Sequence, residues 1–347
     1  MCRGKELTLY FFLEALRGGR TELYRLAFKL DDKRDYKIYY EDASSLYPSV
    51  CLLEDYRAYP AGKYRFVIGE EMRTLKLVDG IWSFYREGET PEPLNGLVQV
   101  KIFPKENMWL PFIAIRHGLK SYYALCHACV TQSVKTLCPH SREERAWVST
   151  ITSSELNYAS SIGYEFECYE ALQFECSSSL FRSFMEILGS YKIRFSGFPP
   201  ECDTLEKKQS YCDRVNRANG YEKNPNLCLT LENVRFEGGK RQFFKNCMNQ
   251  TVGKFSQSAK TQSKFCTTRK ELEDLFYESA NNIKEFFTLG NDLMQVIYEV
   301  QPDFVQTSRK ANSCLSSFVT AHGRIFMDKI FRKLESKGCI ILYTDTG

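Results

Sequence analysis

The chain has 347 residues, 43% hydrophobic and 14% aromatic, enough for one large domain or two ordinary ones with cores of their own. No run of 18 apolar residues occurs and no secretory h-region opens the chain, because Glu14 breaks the short apolar run near its start; no membrane partner is expected, and the 14 cysteines read as free or metal-bound thiols in an intracellular, reducing setting with which a nuclear site is compatible. The net charge of +4 is uneven: Lys207 to Lys270 holds 14 Lys and Arg against 4 Asp and Glu, which suits a polyanion or phosphate partner and equally a solvated basic surface.

In chain order, "EALRGGRTE" (Glu14–Glu22) reads as a turn whose paired glycines supply positive φ. "DYKIYYEDASSLYPSV" reads as a strand delivering Asp42 into a tight turn, and "YPAGKY" (Tyr59–Tyr64) as a second turn. "LNGLVQVKIFP" (Leu94–Pro104) is strand-like; a helix over Ser154–Ile162, ended by Gly163, precedes a further strand. Phe181, Phe184, Met185, Leu188 and Tyr191 recur at helical spacing within Ser179–Phe195. "KRQFFKNCMNQTVGKF" is a helix on which Arg241, Lys245, Asn249 and Gly253 form one stripe at steps of four, with Phe243, Phe244 and Val252 as an apolar back. Ser313–Gly338 is a third helix, and "CIILYTDTG" an apolar strand that runs into Asp345.

Two segments thus share one plan, a strand ending in an aspartate: "IYYED" and "ILYTD". Antiparallel pairing of the two would join Asp42 and Asp345 into a divalent-cation site of the kind Mg²⁺ takes, with few carboxylates and substrate phosphates for the rest. Taken alone, Asp42 reads as well as a turn residue. Cys126, Cys129, Cys138 and His140, spaced C-x2-C-x8-C-x-H, form a donor set that suits tetrahedral Zn²⁺ in a structural role, with His127 as a competing ligand and reduced structural cysteines as the other reading.

"DASSLYPS" (Asp42–Ser49), "KNCMNQTVG" (Lys245–Gly253) and "YTDTG" (Tyr343–Gly347) resemble, in order, the three palm motifs of family B DNA polymerases. "LRGGRT" (Leu16–Thr21) resembles the Y-x-G-G element of the protein-primed members, and "FRSFMEILGSYKIRFSG" (Phe181–Gly197) their first fingers helix. "LCHACVTQSVKTLCPHSREER" with "ELNYASSIGYEFECYEALQF" is similar to an insert of Maverick/Polinton-type mobile-element polymerases.

The resemblance implies an α+β fold: a palm on an antiparallel sheet, helical fingers and a Cys/His-containing insert. Its parts would be residues 1–64 (palm start), 65–177 (insert), 178–253 (fingers) and 254–347 (palm continuation into a shortened third motif), with exonuclease and thumb absent. It implies template-directed addition of dNMP to a DNA 3′ end, with primer-template DNA, dNTP and a terminal-protein primer as partners. Asp42 and Asp345 would hold two Mg²⁺ ions; Ser45, Leu46, Tyr47, Lys192, Arg241, Lys245 and Asn249 would meet the nucleotide, Tyr47 as the gate against a 2′-hydroxyl. Gln250 and Val252 stand where the second motif has Ser and an aromatic residue, and Gly347 where the third has its second Asp. A catalytically dead remnant, or a nucleic-acid-binding module without chemistry, are the alternatives. Arg324 is assigned no catalytic role.

Overall fold

Near-continuous apolar sequence builds the middle of the main sheet: in β3 (Gly96–Phe103), Leu97, Val98, Val100 and Ile102 are fully buried. It is flanked by β5 (Glu165–Ser178) and β4 (Trp147–Thr152), and β2 (Tyr59–Val67) completes the antiparallel order β2-β5-β3-β4. Gly96 is obligatory by close approach, since a Cβ there would lie 1.9 Å from the Leu172 carbonyl oxygen. Tyr59–Tyr64, expected as a turn, lies within β2. Gly62, at φ +82°, sits where the register with β5 shifts between Phe174 and Cys176. Pro and Gly there mark a bulge in a paired strand, not the end of one.

The computed structural model describes residues 11–12, 14–29, 37–56, 58–118, 120–255, 261–278, 281–290, 293–300 and 312–346. They fall into two units, Met1–Val252 with Cys314–Gly347, and Gly253–Ser313. In the first, a capping box of Thr152 and Glu155 turns β4 directly into α4 (Ser153–Ser161), with Gly163 at φ +102° just beyond it. Helix α9 (Ser313–Ser336) has every side chain from Cys314 to Ile325 buried, as befits a helix apolar or small on all sides. Its neighbours in the main core include α1 (Leu46–Val50), through Leu46 and Val50.

β9 (Tyr343–Asp345) pairs antiparallel with β1 (Thr21–Leu23), Thr21 opposite Asp345. The run before Asp42 was expected to be the partner, but residues 37–43 form no strand, and residues 30–36 lie outside the described set. Ile38, Tyr39 and Tyr40 are exposed, and β-propensity without a neighbouring strand leaves a chain merely extended. Helices α5 (Arg182–Arg194), α6 (Leu205–Asn219) and α7 (Gly238–Phe255) follow, with a small core of Cys212, Tyr221, Leu227, Leu229 and Val234.

The second unit is a three-stranded antiparallel sheet, order β6-β8-β7 (Thr261–Cys266, Leu293–Val300, Asn281–Gly290). Helix α8 (Arg269–Tyr277) closes one face with Leu275 against Cys266, Val296 and Tyr298. The fold is therefore mixed helix and antiparallel sheet, as expected. No helix among the described residues is long and apolar enough to cross a membrane.

Candidate nucleotide and metal sites

Asp42 is exposed, at the head of the turn that leads into α1. Ser45 takes a left-handed conformation, φ 56° and ψ 51°, at a cost of about 1 kcal/mol for a residue with a Cβ. Its carbonyl accepts the Ser49 N–H at 2.9 Å, and the Ser49 hydroxyl donates back to the Ser44 carbonyl at 3.1 Å. With Leu46 and Val50 sunk in the core, the turn is held from below.

Lys192 reaches this turn across 147 residues of sequence, its Nζ donating to Ser45 Oγ at 2.9 Å. The helices behind it explain why. Tyr191 of α5 stacks on Phe244 of α7 at 5.0 Å, and Phe195 stacks on the same ring at 5.7 Å. The residues next to these rings, Lys192 and Lys245, are thereby brought into one neighbourhood. Ser196 adds a bridge, accepting from Arg241 Nε at 3.2 Å while donating to the Lys192 carbonyl. Desolvation first, then the charges of Lys245 and Arg241, hold the Lys192 ammonium below its ordinary pKa. Among the described residues, none of the three forms an ion pair with a carboxylate. Asn249 lies on the same helix and is exposed. Phe243, expected on the apolar back of α7, is 60% exposed; Met248 is the buried residue there, so the helix is held by the Phe244 stack and Met248.

Tyr47 packs between the glycine pair and α9. Gly19 is not at positive φ, so the expected reason for the pair fails; what matters is room. A Cβ on Gly19 would come within 2.6 Å of both the Tyr47 hydroxyl and Thr346 Cγ2, and one on Gly323 within 3.0 Å of the Tyr47 ring. The Gly19 N–H bonds the Tyr47 phenol, whose pKa burial raises despite nearby Arg324. Sequence reasoning missed the frame around this loop. Arg324 donates to the carbonyls of Arg17 (2.9 Å) and Gly18 (2.6 Å) and forms a buried ion pair with Glu155 at 2.7 Å. Arg17 reaches Ser149 and the Thr150 carbonyl of β4. Burial alone would push Glu155 up, but Arg324 and then Arg17 outweigh it and keep the carboxyl low. His322, also buried, bonds Ser154 at 3.1 Å and is pushed down to about 4 by burial. The two glycines and the arginines around them were the available signal.

Asp345 closes the same frame. Its Oδ1 accepts from Thr21 Oγ1 at 2.9 Å, and the next residue, Thr346, donates its N–H to the Arg20 carbonyl at 2.8 Å. Tyr343 has its phenol raised by desolvation, then by Asp345 and by Tyr40.

Away from this region, Cys126, Cys129, Cys138 and His140 converge as expected, their donor atoms all within 4.8 Å of one another. His127, the competing candidate, is not in the group. Cys126 caps α2 (His127–Gln132), its sulfur accepting the Cys129 N–H at 3.3 Å, and the backbone N–H of His140 holds the Cys138 thiol down to about 7.

The region thus holds a left-handed turn at Ser45, three cations of α5 and α7 near it, and the exposed carboxylates of Asp42 and Asp345. The model of the family described as DNA polymerase type B, organellar and viral, matches residues 10–197, more than half of the chain, and the chain belongs to that family. The match takes in Asp42, Ser45, Leu46, Tyr47, the Cys/His cluster and Lys192; Arg241, Lys245, Asn249 and Asp345 lie beyond it. No curated protein and no solved structure matches the chain.

Proposed function

We propose that the chain is the palm-and-fingers portion of a template-directed DNA polymerase of the protein-primed type, similar to those of Maverick/Polinton elements. The bond formed joins a primer 3′-oxygen to the α-phosphorus of a dNTP, the bond broken releases pyrophosphate, and the proton of the 3′-hydroxyl passes to solvent. Lys192, Arg241 and Lys245 take the triphosphate, with Asn249 further along the α7 stripe. Ser45 and Leu46 shape the turn under it, and Tyr47, fixed at both ends by Gly19 and Gly323, closes the space beside the sugar C2′. Asp42 and Asp345 are hard oxygen donors on exposed chain, which suits Mg²⁺; a pair of these ions supplies charge neutralisation of the attacking and leaving oxygens. No side chain here is needed as a general base, so positioning and electrostatics carry the reaction. The terminal-protein primer and a reducing intracellular setting belong to the same reading; the described cysteines are free.

The observation that supports it most is the Lys192–Ser45 bond, with Arg241 and Lys245 beside it: fingers cations seated on the motif turn. The test is extension of a labelled DNA hairpin with and without Mg²⁺. Gly347 stands where the third motif carries Asp, so Gly347→Asp is run beside the parent chain. Mg²⁺-dependent extension, greater in Gly347→Asp and abolished by Asp42→Asn, is expected. Extension that survives Asp42→Asn would overturn the metal assignment.

A further inference from the structure

The geometry points to a closed, structural Zn²⁺ site formed by Cys126, Cys129, Cys138 and His140, separate from the polymerase chemistry. His140 Nδ1 lies 3.4 Å from Cys126 Sγ, 3.3 Å from Cys129 Sγ and 3.6 Å from Cys138 Sγ. A tetrahedral ion with Zn–S near 2.3 Å and Zn–N near 2.0–2.1 Å puts sulfur and nitrogen about 3.6 Å apart, so the donors already stand close to the spacing that zinc imposes.

Two further details fit this ion. The other ring nitrogen of His140 lies 3.3 Å from Gln132 Oε1, an acceptor that suits the Nε2–H tautomer, in which Nδ1 keeps its lone pair for a metal. The sulfur of Cys126 accepts a backbone N–H from Cys129, the kind of bond that spreads the charge of a ligating thiolate. Soft thiolates with one imidazole select Zn²⁺ over Mg²⁺ or Ca²⁺. Four protein donors leave no position for water or substrate, which makes the site structural.

The segment also lacks another way to hold its shape. Between Cys126 and His140 the buried side chains are Cys126 and Ala128, while Leu137 is 94% exposed. A metal cross-link takes over where a core is missing. It ties α2 to the start of α3 (Arg142–Arg145), whose capping box at Ser141 and Glu144 follows His140 immediately.

The experiment uses the full chain, purified under reducing conditions without chelator. Elemental analysis should find one zinc per chain, and exchange with Co²⁺ should give the visible bands of a tetrahedral thiolate site. Cys138→Ser should lose the metal. Gln132→Ala keeps all four ligands and should fold normally while holding zinc about 10-fold more weakly, as expected on removal of a partner that orients a ligand. If Cys138→Ser does not fold, the parent chain and Gln132→Ala decide. Folded parent chain without stoichiometric zinc and without cobalt bands overturns the proposal, as does a Cys126–Cys129 disulfide found by mass spectrometry in its place.

Discussion

Gly19 carries more of the site than its size suggests. Its missing side chain is the space in which the Tyr47 hydroxyl and Thr346 meet. Gly19→Ala should therefore displace Tyr47 or the end of β9, and nucleotide binding should weaken with little loss of global stability; an unchanged affinity would show that the loop yields freely. Glu155 is the opposite kind of residue, fully enclosed and paired to Arg324. Glu155→Gln leaves a guanidinium buried without its counter-charge, which costs roughly 3–5 kcal/mol in denaturant unfolding; a loss under about 1 kcal/mol would mean solvent reaches the pair. His322 sets an acid limit. Its folded pKa, about 4, lies below the unfolded value of 6.5, so the unfolded chain takes up the proton first as pH falls. Stability should be complete above pH 6.5 and decline toward pH 4, by at most roughly 3 kcal/mol from this residue. Glu155, with its pKa held low, adds to the loss at still lower pH. His322→Gln should flatten the decline between pH 6.5 and 4; an unaltered slope would place its origin elsewhere.

At the scale of elements, α4, α5, α7 and α9 were legible from periodicity and terminators, whereas α6 and α8 were missed, although Thr204 with Gly220 and Thr268 with Glu271 cap them. α4 was readable because Gly163 ends it; the capping box of Thr152 and Glu155 that starts it was a missed signal. Strands were less so, because pairing and not composition makes them. "YKIYY" is rich in strand-favouring residues, yet its described residues 37–40 form no strand, whereas "YPAGKY" has two strand breakers and is paired by β5. The Cys/His cluster was legible because its ligands lie close in sequence and the spacing limits their geometry. The Arg17–Arg324–Glu155 frame was not, since its members lie 138 to 307 residues apart or at unrelated positions in chain order. The stack of Tyr191, Phe195 and Phe244 is what sets Lys192 and Lys245 side by side. Phe244→Leu should preserve apolar burial but lose ring stacking, worth about 0.5–1.5 kcal/mol, and should weaken dNTP binding more than it lowers stability. The reverse ranking would mean that the stack is only packing.

Over the whole molecule, two independent lines meet at one turn: the family match, which ends at residue 197, and the cations of α7, which lie beyond it. Their meeting is the central claim, that the Ser44–Tyr47 turn and the trio of Lys192, Arg241 and Lys245 form a triphosphate site. A basic surface would also bind DNA, so the decisive property is selectivity for the nucleotide. The measurement is calorimetric titration of dATP with Mg²⁺ into the parent chain and Lys245→Ala, beside titration of a short duplex into both. The account predicts that Lys245→Ala loses about tenfold or more in dATP affinity, near 1.4 kcal/mol, with duplex affinity changed far less. Equal losses for the two ligands, or undiminished dATP binding, would contradict it.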